Sequence, residues 1–256
     1  MKVFNSVSDY ISSRSGFEGP VGFVPTMGAL HSGHRSLIVR SIEENQTTVV
    51  SIYVNPMQFD NENDLMAYPE TLVEDQTTLE ALGVDVLVLP TYDQIYGDGF
   101  RYQVLENLFS HELCGAHRDG HFTGVLTVVM KLLNIVRPQK AYFGEKDYQQ
   151  YQLISDMVDA FFMDVEIVPC TIVRESDGLA LSSRNLNLDS CARAKAPLIH
   201  ELISNVSSDV EVAQALSEAG FDVDYVETHD GRRFVAAKIG ENPVVRLIDN
   251  IPVAMP

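Results

Sequence analysis

The stretch FVPTMGALHSGHRSLI, from Phe23 to Ile38, contains the residues that decide the fold. It begins with apolar residues typical of a buried strand, passes through Pro-Thr-Met-Gly, and continues with the spacing of a helix. His31 and His34 lie three residues apart at this junction, so they share one face at the start of the predicted helix. A core strand does not require two histidines. The stretch therefore predicts a strand-to-helix junction with a chemical role.

Four further apolar segments, rich in β-branched residues, alternate with segments of helical periodicity. The predicted strands cover residues 21–25, 48–56, 84–90, 140–144 and 165–173. The predicted helices cover residues 36–45, 71–83, 125–136 and 148–162, and Gly83 is the predicted stop of the second. This alternation predicts an α/β fold with a parallel sheet, and continuously apolar strands indicate that helices cover both of its faces.

The pattern changes after residue 175. Two helices are predicted over residues 188–206 and 209–220, and short strands over 221–230, 232–240 and 244–250. Together these elements predict a smaller C-terminal α+β domain. The predicted domains are therefore residues 1–175 and 176–256.

Composition and charge exclude several classes of function. The chain has 256 residues and a formal net charge of -18, which argues against non-specific binding to nucleic acid or to an anionic membrane. Its three cysteines are irregularly spaced and predict free thiols in a reducing compartment. The segment MKVFNSVSDYISSRSGF has no signal-peptide apolar region, and no apolar run is long enough to span a bilayer. We therefore predict a cytoplasmic protein without a membrane segment.

The loop after the first predicted strand is a candidate phosphate site. In a parallel sheet, ligands bind beyond the carboxyl ends of the strands. Here Gly28 permits a tight turn and Gly33 permits the close approach of a flat ring. The histidine pair and the N–H groups of the helix start should point the same way, as an anionic phosphate requires.

Three other loops at the same predicted edge carry polar groups. Residues 144–150 follow the fourth strand and include Lys146, whose ammonium could reach a phosphate. Residues 181–185 follow the fifth and offer two hydroxyls and a guanidinium, groups that suit a phosphate in transfer. Residues 55–58 follow the second and offer the neutral amide of a glutamine.

Other motifs were weighed against this interpretation. The sequence contains neither GxxxxGK[ST] nor GxGxxG, so it has no P-loop and no dinucleotide fingerprint. The segment HELCGAHRDGH has spacings that a zinc site could use, at His111, Cys114, His117 and His121. A single cysteine, the lack of a CxxC knuckle and the basic Arg118 within the segment favour a chance spacing.

Six blocks together resemble the pantoate–β-alanine ligase family. They are VPTMGALHSGH, SIYVNPMQF, GHFTGVLTVV, YFGEKDYQQ, VRESDGLALSSRN and RLIDN. The first five occur in order from about residue 21 to residue 189, and RLIDN is a fainter match at the C-terminus. HSGH is similar to the HIGH signature of nucleotidyltransferase-type Rossmann folds, and LSSRN takes the place of their second phosphate loop. The resemblance thus implies a Rossmann-like parallel sheet.

The resemblance also implies a two-step reaction. The carboxylate of pantoate attacks the α-phosphorus of ATP and expels pyrophosphate, and the amine of β-alanine then attacks the pantoyl adenylate and releases AMP. It further implies Mg²⁺ on the nucleotide phosphates, a small domain that acts as a lid, and a homodimer built through the large domain. Its partners are small molecules, with no nucleic acid and no membrane.

The family pattern assigns site residues by position. It implies catalytic roles for His31, His34, Lys146, Ser182, Ser183 and Arg184, with His34 as the proton donor. Gln58 and Gln150 would hold pantoate, Gln58 would also border β-alanine, and Asp75 would assist Mg²⁺. We interpret Gln149 as an ordinary polar loop residue. The implied ATP-binding residues are Met27, Gly28, Ala29, Leu30, His31, Ser32, Gly33, His34, Gly144, Glu145, Lys146, Asp147, Val173, Leu181, Ser182, Ser183 and Arg184.

Two other classes of function remain open at this point. A nucleotidyltransferase that stops at the adenylyl product would use a phosphate-bearing acceptor and ignore pantoate. A non-catalytic nucleotide- or metal-binding module would bind ATP or zinc without forming AMP. The short acidic chain disfavours a class I aminoacyl-tRNA synthetase. Two departures from the family pattern are expected: Glu70 stands where arginine is common, and the C-terminal region looks shortened.

Overall fold

The computed structural model describes residues 1–17, 19–206 and 208–253. These residues form two compact units. The first comprises Met1–Glu145 and Gln149–Cys170, and the second comprises Lys146–Tyr148 and the chain from Thr171 onward. The domain boundary between residues 175 and 176 stays a prediction, because compactness alone does not define a unit that folds independently.

The first unit is built on a parallel sheet. Its strands are β1 (Lys2–Phe4), β2 (Val21–Thr26), β3 (Thr47–Ile52), β4 (Val86–Val88), β5 (Lys140–Gly144) and β6 (Glu166–Cys170). Within the described residues they form one six-stranded sheet in the order β1-β4-β3-β2-β5-β6, and every adjacent pair is parallel. The predicted parallel α/β fold is confirmed. The sequence analysis missed β1, because three residues are too few to show a periodicity.

Helices connect the strands of this sheet. They are α1 (Val7–Ser13), α2 (Ser32–Glu44), α3 (Glu62–Met66), α4 (Leu72–Leu82), α5 (Tyr92–Ile95), α6 (His121–Val136) and α7 (Tyr148–Ala160). The four predicted helices are confirmed, and Gly83 ends α4 in the left-handed conformation with φ 85°. The largest differences between predicted and observed bounds lie at the N-termini of the helices. Helix α2, for example, begins at Ser32 rather than at residue 36 and therefore contains His34.

The core of the first unit lies between the sheet and two of its helices. Val24 of β2 and Val50 of β3 pack in one cluster with Ile38 of α2 and Leu79 of α4, and all four are fully buried. Helix α6 contacts β2 and α1 instead. Because neighbouring residues of a strand point to opposite faces, the continuously apolar strands are covered on both sides.

The strand order changes direction between β2 and β5. From β2 the chain proceeds through β3 to β4 on one side, and it then returns to β5 on the other side of β2. The registered pairs of β2 and β5 are Gly22 with Lys140 and Phe23 with Ala141, all in the first half of each strand. The carboxyl ends of these two strands therefore separate, and this is where open α/β sheets bind their ligands.

The second unit contains a smaller antiparallel sheet. Its helices are α8 (Ser190–Lys195), α9 (Leu198–Asn205) and α10 (Asp209–Glu218), and its strands are β7 (Asp222–His229), β8 (Arg232–Ile239) and β9 (Val245–Pro252). In the described residues the three strands lie in chain order and are antiparallel. The predicted α+β architecture is confirmed. The single helix predicted over residues 188–206 is wrong, since Pro197 lacks the backbone N–H that would continue α8.

None of the helices in the described ranges is both long and apolar enough to cross a membrane.

We predict that Leu79→Ala lowers the free energy of unfolding by about 3 kcal/mol, because it leaves a cavity in a close-packed cluster. Leu72→Ala on the same helix is the matched control, since this side chain is 43% exposed, and it should cost less than about 1 kcal/mol. Urea denaturation followed by circular dichroism measures both changes. Equal losses in the two variants would contradict the position of Leu79 in the core.

Candidate active site

The loop after β2 is held in place by a buried carboxylate. Gly28 and Ala29 both have positive φ, 82° and 50°. The backbone N–H groups of Ala29 and Leu30 donate to the two oxygens of Asp75, at 2.9 and 2.8 Å. A Cβ on Gly28 would lie 3.0 Å from Asp75 Oδ2. The tight turn predicted at Gly28 is thus confirmed, and Asp75 determines its path.

Asp75 has a further donor on its own helix. The hydroxyl of Thr71, at the N-terminal end of α4, donates to Asp75 Oδ2 at 3.0 Å, and Asp75 is only 3% exposed. The family resemblance implies that Asp75 assists Mg²⁺, and this anchoring role was not predicted. A Thr-x-x-x-Asp pair in the first turn of a helix is the signal that could have indicated it. A role of Asp75 as a metal ligand stays a prediction.

The two histidines cap α2 reciprocally. His31 is the N-cap residue and its Nδ1 accepts the N–H of Gly33 at 3.1 Å, while His34 Nδ1 accepts the N–H of His31 at 3.4 Å. The two rings lie with their centroids 4.1 Å apart. The expected position at the helix start is confirmed. The N–H of Gly33 bonds to His31 and is therefore not one of the free N–H groups of this helix start.

This capping arrangement determines the tautomer of both rings. A nitrogen that accepts a hydrogen bond carries no proton, so in the neutral imidazoles of His31 and His34 the proton is on Nε2. Nε2–H is a donor, and a donor is what a phosphate oxygen requires. In each ring, Nδ1 thus has a structural role in the helix cap and Nε2 carries the proton.

Gln58 lies in a rigid turn after β3. The turn is a single 3-10 helix, Pro56–Gln58, whose N-cap is Asn55. The amide of Asn55, which is 1% exposed, donates to Gln58 Oε1 at 3.0 Å, and its Oδ1 accepts the hydroxyl of Tyr96 at 2.9 Å. In the part of the chain that the structure describes, Gln58 Nε2 has no hydrogen-bond partner. Asn55 thus fixes the acceptor end of the Gln58 amide and leaves its donor end without a protein partner in the described residues.

The start of α6 packs directly on the same turn. A Cβ on Gly124 would lie 2.1 Å from the carbonyl oxygen of Met57, so only glycine permits this approach. His121 Nδ1 lies 2.7 Å from the carbonyl oxygen of Gln58, and its Nε2 lies 3.1 Å from Arg118 Nη1. Since a carbonyl can only accept, the neutral His121 carries its proton on Nδ1 and accepts from Arg118 through Nε2.

Arg118 connects this turn to a carboxylate. Its Nε lies 3.1 Å from Asp60 Oδ1. Burial by itself would raise the pKa of Asp60, but the charge and hydrogen bond of Arg118 hold that pKa below its usual value. With both ring nitrogens of His121 engaged, this histidine supports Gln58. Among the described residues no group of three or more His, Cys, Asp and Glu side chains has the arrangement of a metal site.

Gln150 and its neighbour Gln149 lie on the first turn of α7, within the helix predicted over residues 148–162. The loop position that was also expected for both is wrong. Gln149 is only 4% exposed. Its amide donates to the carbonyls of Phe109 and Glu112, both at 2.8 Å, and its Oε1 accepts the N–H of Cys114 at 3.0 Å. Gln149 is therefore a buried clamp rather than an ordinary polar residue. Gln150 is half-buried, and its side chain has no hydrogen-bond partner in the described ranges.

The segment that Gln149 clamps leads directly to the residues that support Gln58. It runs from Phe109 to Cys114, and Arg118 and His121 follow within the next seven residues. One short stretch of chain thus contacts both the turn that contains Gln58 and the helix α7 that contains Gln150. The two glutamines that the family pattern assigns to pantoate are thus supported by neighbouring parts of one segment.

The remaining predicted residues divide between the two compact units. Gly144 and Glu145 belong to the first, whereas Lys146, Asp147, Val173 and the residues 181–184 belong to the second. In the second unit Leu181 N–H donates to Val173 O at 3.0 Å, and Ser182 Oγ accepts the N–H of Arg184 at 3.3 Å. The predicted phosphate loop therefore begins as a hydrogen-bonded turn with its hydroxyl as the cap.

Comparisons with known proteins identify a family to which this chain is similar over almost its whole length. The family model described as pantoate–β-alanine ligase matches residues 2–252. A curated pantothenate synthetase of Bdellovibrio bacteriovorus is 54% identical over 252 residues, which are 98% of this chain and 99% of the relative. The pantothenate synthetase of Legionella pneumophila strain Lens is 47% identical with the same coverage. The expectation of a shortened C-terminal region is therefore wrong with respect to these relatives.

Solved structures are similar over the whole chain. A pantoate–β-alanine ligase from Francisella tularensis, complexed with beta-gamma ATP and β-alanine, has a TM-score of 0.92 and 41% identity, covering 98% of this chain and 97% of that one. A pantothenate synthetase from Thermus thermophilus has a TM-score of 0.88 and 39% identity, covering all of both chains.

We predict that Asp75→Asn loosens the loop after β2. The substitution replaces one carboxylate oxygen by an NH₂ group, which cannot accept a hydrogen bond from a backbone N–H. The free energy of unfolding should therefore fall by about 2 kcal/mol. Hydrogen exchange at Ala29 and Leu30 should accelerate as well. Glu74→Gln, at the exposed neighbouring position, is the control and should leave both amides unchanged. Unchanged protection in Asp75→Asn would contradict the anchoring role.

Proposed function

This chain belongs to the pantoate–β-alanine ligase family, and we propose from that premise that the two histidines capping α2 are the centre of its phosphate chemistry. The chain is an AMP-forming acid–amine ligase that uses ATP to condense pantoate with β-alanine. The reaction proceeds through pantoyl adenylate, so pyrophosphate leaves in the first step and AMP in the second. The product is pantothenate.

The capping histidines are the observation that supports the proposal most strongly. They lie at the carboxyl end of β2, next to the place where the strand order reverses, and each carries its proton on Nε2. In the proposal these two donors stabilise the charge that develops on the phosphate oxygens during adenylation, and His34, the implied proton donor, acts as a hydrogen-bond donor through its Nε2–H. Preorganised donors cost no rearrangement at the moment of reaction, which is why a rigid helix cap suits this role.

The second group of phosphate-binding residues is cationic. A carboxylate is a poor acyl donor until its oxygen becomes a good leaving group, and its attack on a polyanion requires positive charge near the phosphates. Lys146 and Arg184 supply that charge in the proposal, and the hydroxyls of Ser182 and Ser183 supply further donors. Such a reaction needs no covalent nucleophile from the protein.

The two glutamines are the proposed pantoate ligands. Asn55 holds Gln58 Oε1, so Gln58 presents its NH₂ group, and an amide donor orients a carboxylate without the charge that would reduce its nucleophilicity. Gln150 offers a second amide from α7. The proposal also places β-alanine next to Gln58, where it would meet the adenylate.

We propose that Mg²⁺ binds through the phosphate oxygens of ATP and neutralises part of their charge there. Phosphates with a few carboxylates and waters are the usual ligands of this ion. Asp75 fits as a direct ligand only poorly, because it is buried and accepts three hydrogen bonds from Ala29, Leu30 and Thr71. The described residues therefore fit an ion that arrives with the nucleotide.

A homodimer in the cytoplasm is also part of the proposal. Tyr102, Leu105 and Leu108 are 67%, 62% and 77% exposed within one segment of the first unit. Apolar side chains grouped in this way are typical of an interaction surface. Three free cysteines, two of them buried, are consistent with a reducing compartment.

We expect the exchange of pyrophosphate into ATP to require pantoate and Mg²⁺ but not β-alanine, because adenylation precedes amide formation. The measurement uses labelled pyrophosphate, with each component omitted in turn. AMP should accumulate only when β-alanine is added. Exchange that depends strictly on β-alanine would contradict the adenylate mechanism, and exchange without pantoate would contradict the substrate.

We predict that Gln58→Glu and Gln150→Glu each raise the KM for pantoate about tenfold or more. Each change removes a donor and places a negative charge near a substrate carboxylate. ATP binding, measured by calorimetry, should change less than about twofold. Gln103→Glu, at an exposed glutamine of the same unit, is the control. If the KM for pantoate is unchanged and ATP binding is weaker, these glutamines belong to the nucleotide site and the assignment to pantoate is wrong.

A further inference from the structure

Two adjacent residues of β9 each reach a different phosphate-binding element of the second unit. Asp249 and Asn250 are 4% and 2% exposed. Buried polar side chains are costly unless they are hydrogen-bonded, so their partners indicate why they are there. Asp249 bonds to the hairpin that precedes Ser182, and Asn250 bonds to the backbone of Lys146.

Asp249 holds the base of the loop that carries Ser182–Arg184. It accepts two hydrogen bonds from Arg174, at 2.6 and 2.9 Å, in a bidentate ion pair. The same guanidinium donates to the carbonyl of Gly178 at 3.1 Å, and Arg174 forms a β-bridge with Ala180. The ion pair therefore ties the hairpin from Arg174 to Ala180 to β9, one residue before the loop begins.

Asn250 holds the backbone at Lys146. Its Nδ2 donates to the carbonyl of Lys146 at 2.9 Å, and its Oδ1 accepts from Arg232 Nη1. The guanidinium of Arg232 lies 3.8 Å from the centre of the Tyr148 ring. Asn250 thus holds the turn at Lys146 by a hydrogen bond, and Arg232 holds it two residues later by stacking on Tyr148.

Neighbouring side chains of a strand point to opposite sides, so one strand can support two elements. We propose that Asp249 and Asn250 are positioning residues that hold Lys146 and the Ser182–Arg184 loop at a constant spacing for adenylation. Asn250 acts through Lys146, and Asp249 acts through Arg184. This inference rests on the proposed function of Lys146 and Arg184, and neither β9 residue touches the substrate in it.

The second unit contains a matched control for the ion pair. Asp224 of β7, with a side chain 5% exposed, pairs with Lys238 and Arg246 at 2.6 Å each. The side chain of Asp249 is 3% exposed. Asp224 thus has the same chemistry and burial as Asp249, but its partners lie on β8 and β9. A loss of sheet stability alone should affect both positions alike.

The test is a pair of double-mutant cycles with pantoate-dependent pyrophosphate exchange as the readout. Asn250→Ala should lower the exchange rate about tenfold in the unmodified chain, and less than about twofold in a Lys146→Ala background. Asp249→Asn should likewise lower the exchange rate about tenfold in the unmodified chain and less than about twofold in an Arg184→Ala background. Asp224→Asn should leave exchange within about twofold. All assays run well below the lowest melting temperature of the set.

The outcomes separate this inference from the proposed function. If Asn250→Ala lowers exchange by the same factor with and without Lys146, its role is structural and the inference is overturned, while the role of Lys146 stands. If Lys146→Ala itself exchanges normally, the proposed role of Lys146 is overturned and the inference with it. The same two rules apply to Asp249→Asn and Arg184→Ala.

A second variant keeps the test decisive if Asn250→Ala does not fold. Asn250→Asp retains an oxygen for Arg232 and replaces only the donor to Lys146. It should lower exchange at least as much as the alanine variant, because a carboxylate oxygen would face the carbonyl of Lys146. Normal exchange in Asn250→Asp would overturn the inference.

Discussion

The site depends on the buried carboxylate of Asp75. By accepting the N–H groups of Ala29 and Leu30 it holds the chain in the left-handed turn that joins β2 to α2. A buried carboxylate is costly unless donors satisfy it, and the hydroxyl of Thr71 adds a third. The loop and helix α4 thus stabilise each other, and together they determine where α2 starts.

Three polar side chains of the site each use one atom for a hydrogen bond within the protein and carry a donor on another atom. His31 and His34 use Nδ1 to cap the helix and keep the proton on Nε2. Gln58 uses Oε1 to accept from Asn55, so its NH₂ group points the other way. In each case one end of the side chain fixes the orientation of the other. Lysine or methionine could not replace these residues, because neither has an acceptor and a donor on one rigid group.

The chain handles a polyanionic substrate despite its net charge of -18. In the proposal the positive charge near the phosphates comes from Lys146 and Arg184, and the remaining contacts are neutral donors. Local charges at short distance act more strongly than a diffuse surface charge that salt screens. The overall acidity therefore does not oppose ATP binding.

By itself the sequence determined the parallel α/β fold, the small α+β unit and the histidine pair at a helix start, because periodicity and short spacings are local properties. Only the tertiary structure decided the roles of Asp75, Gln149 and Asn250. Their partners lie 46, 35 and 104 residues away along the chain, and no local pattern encodes such a pairing. Each was missed or misassigned for the same physical reason: a buried hydrogen bond is defined by which strands and helices the fold brings together.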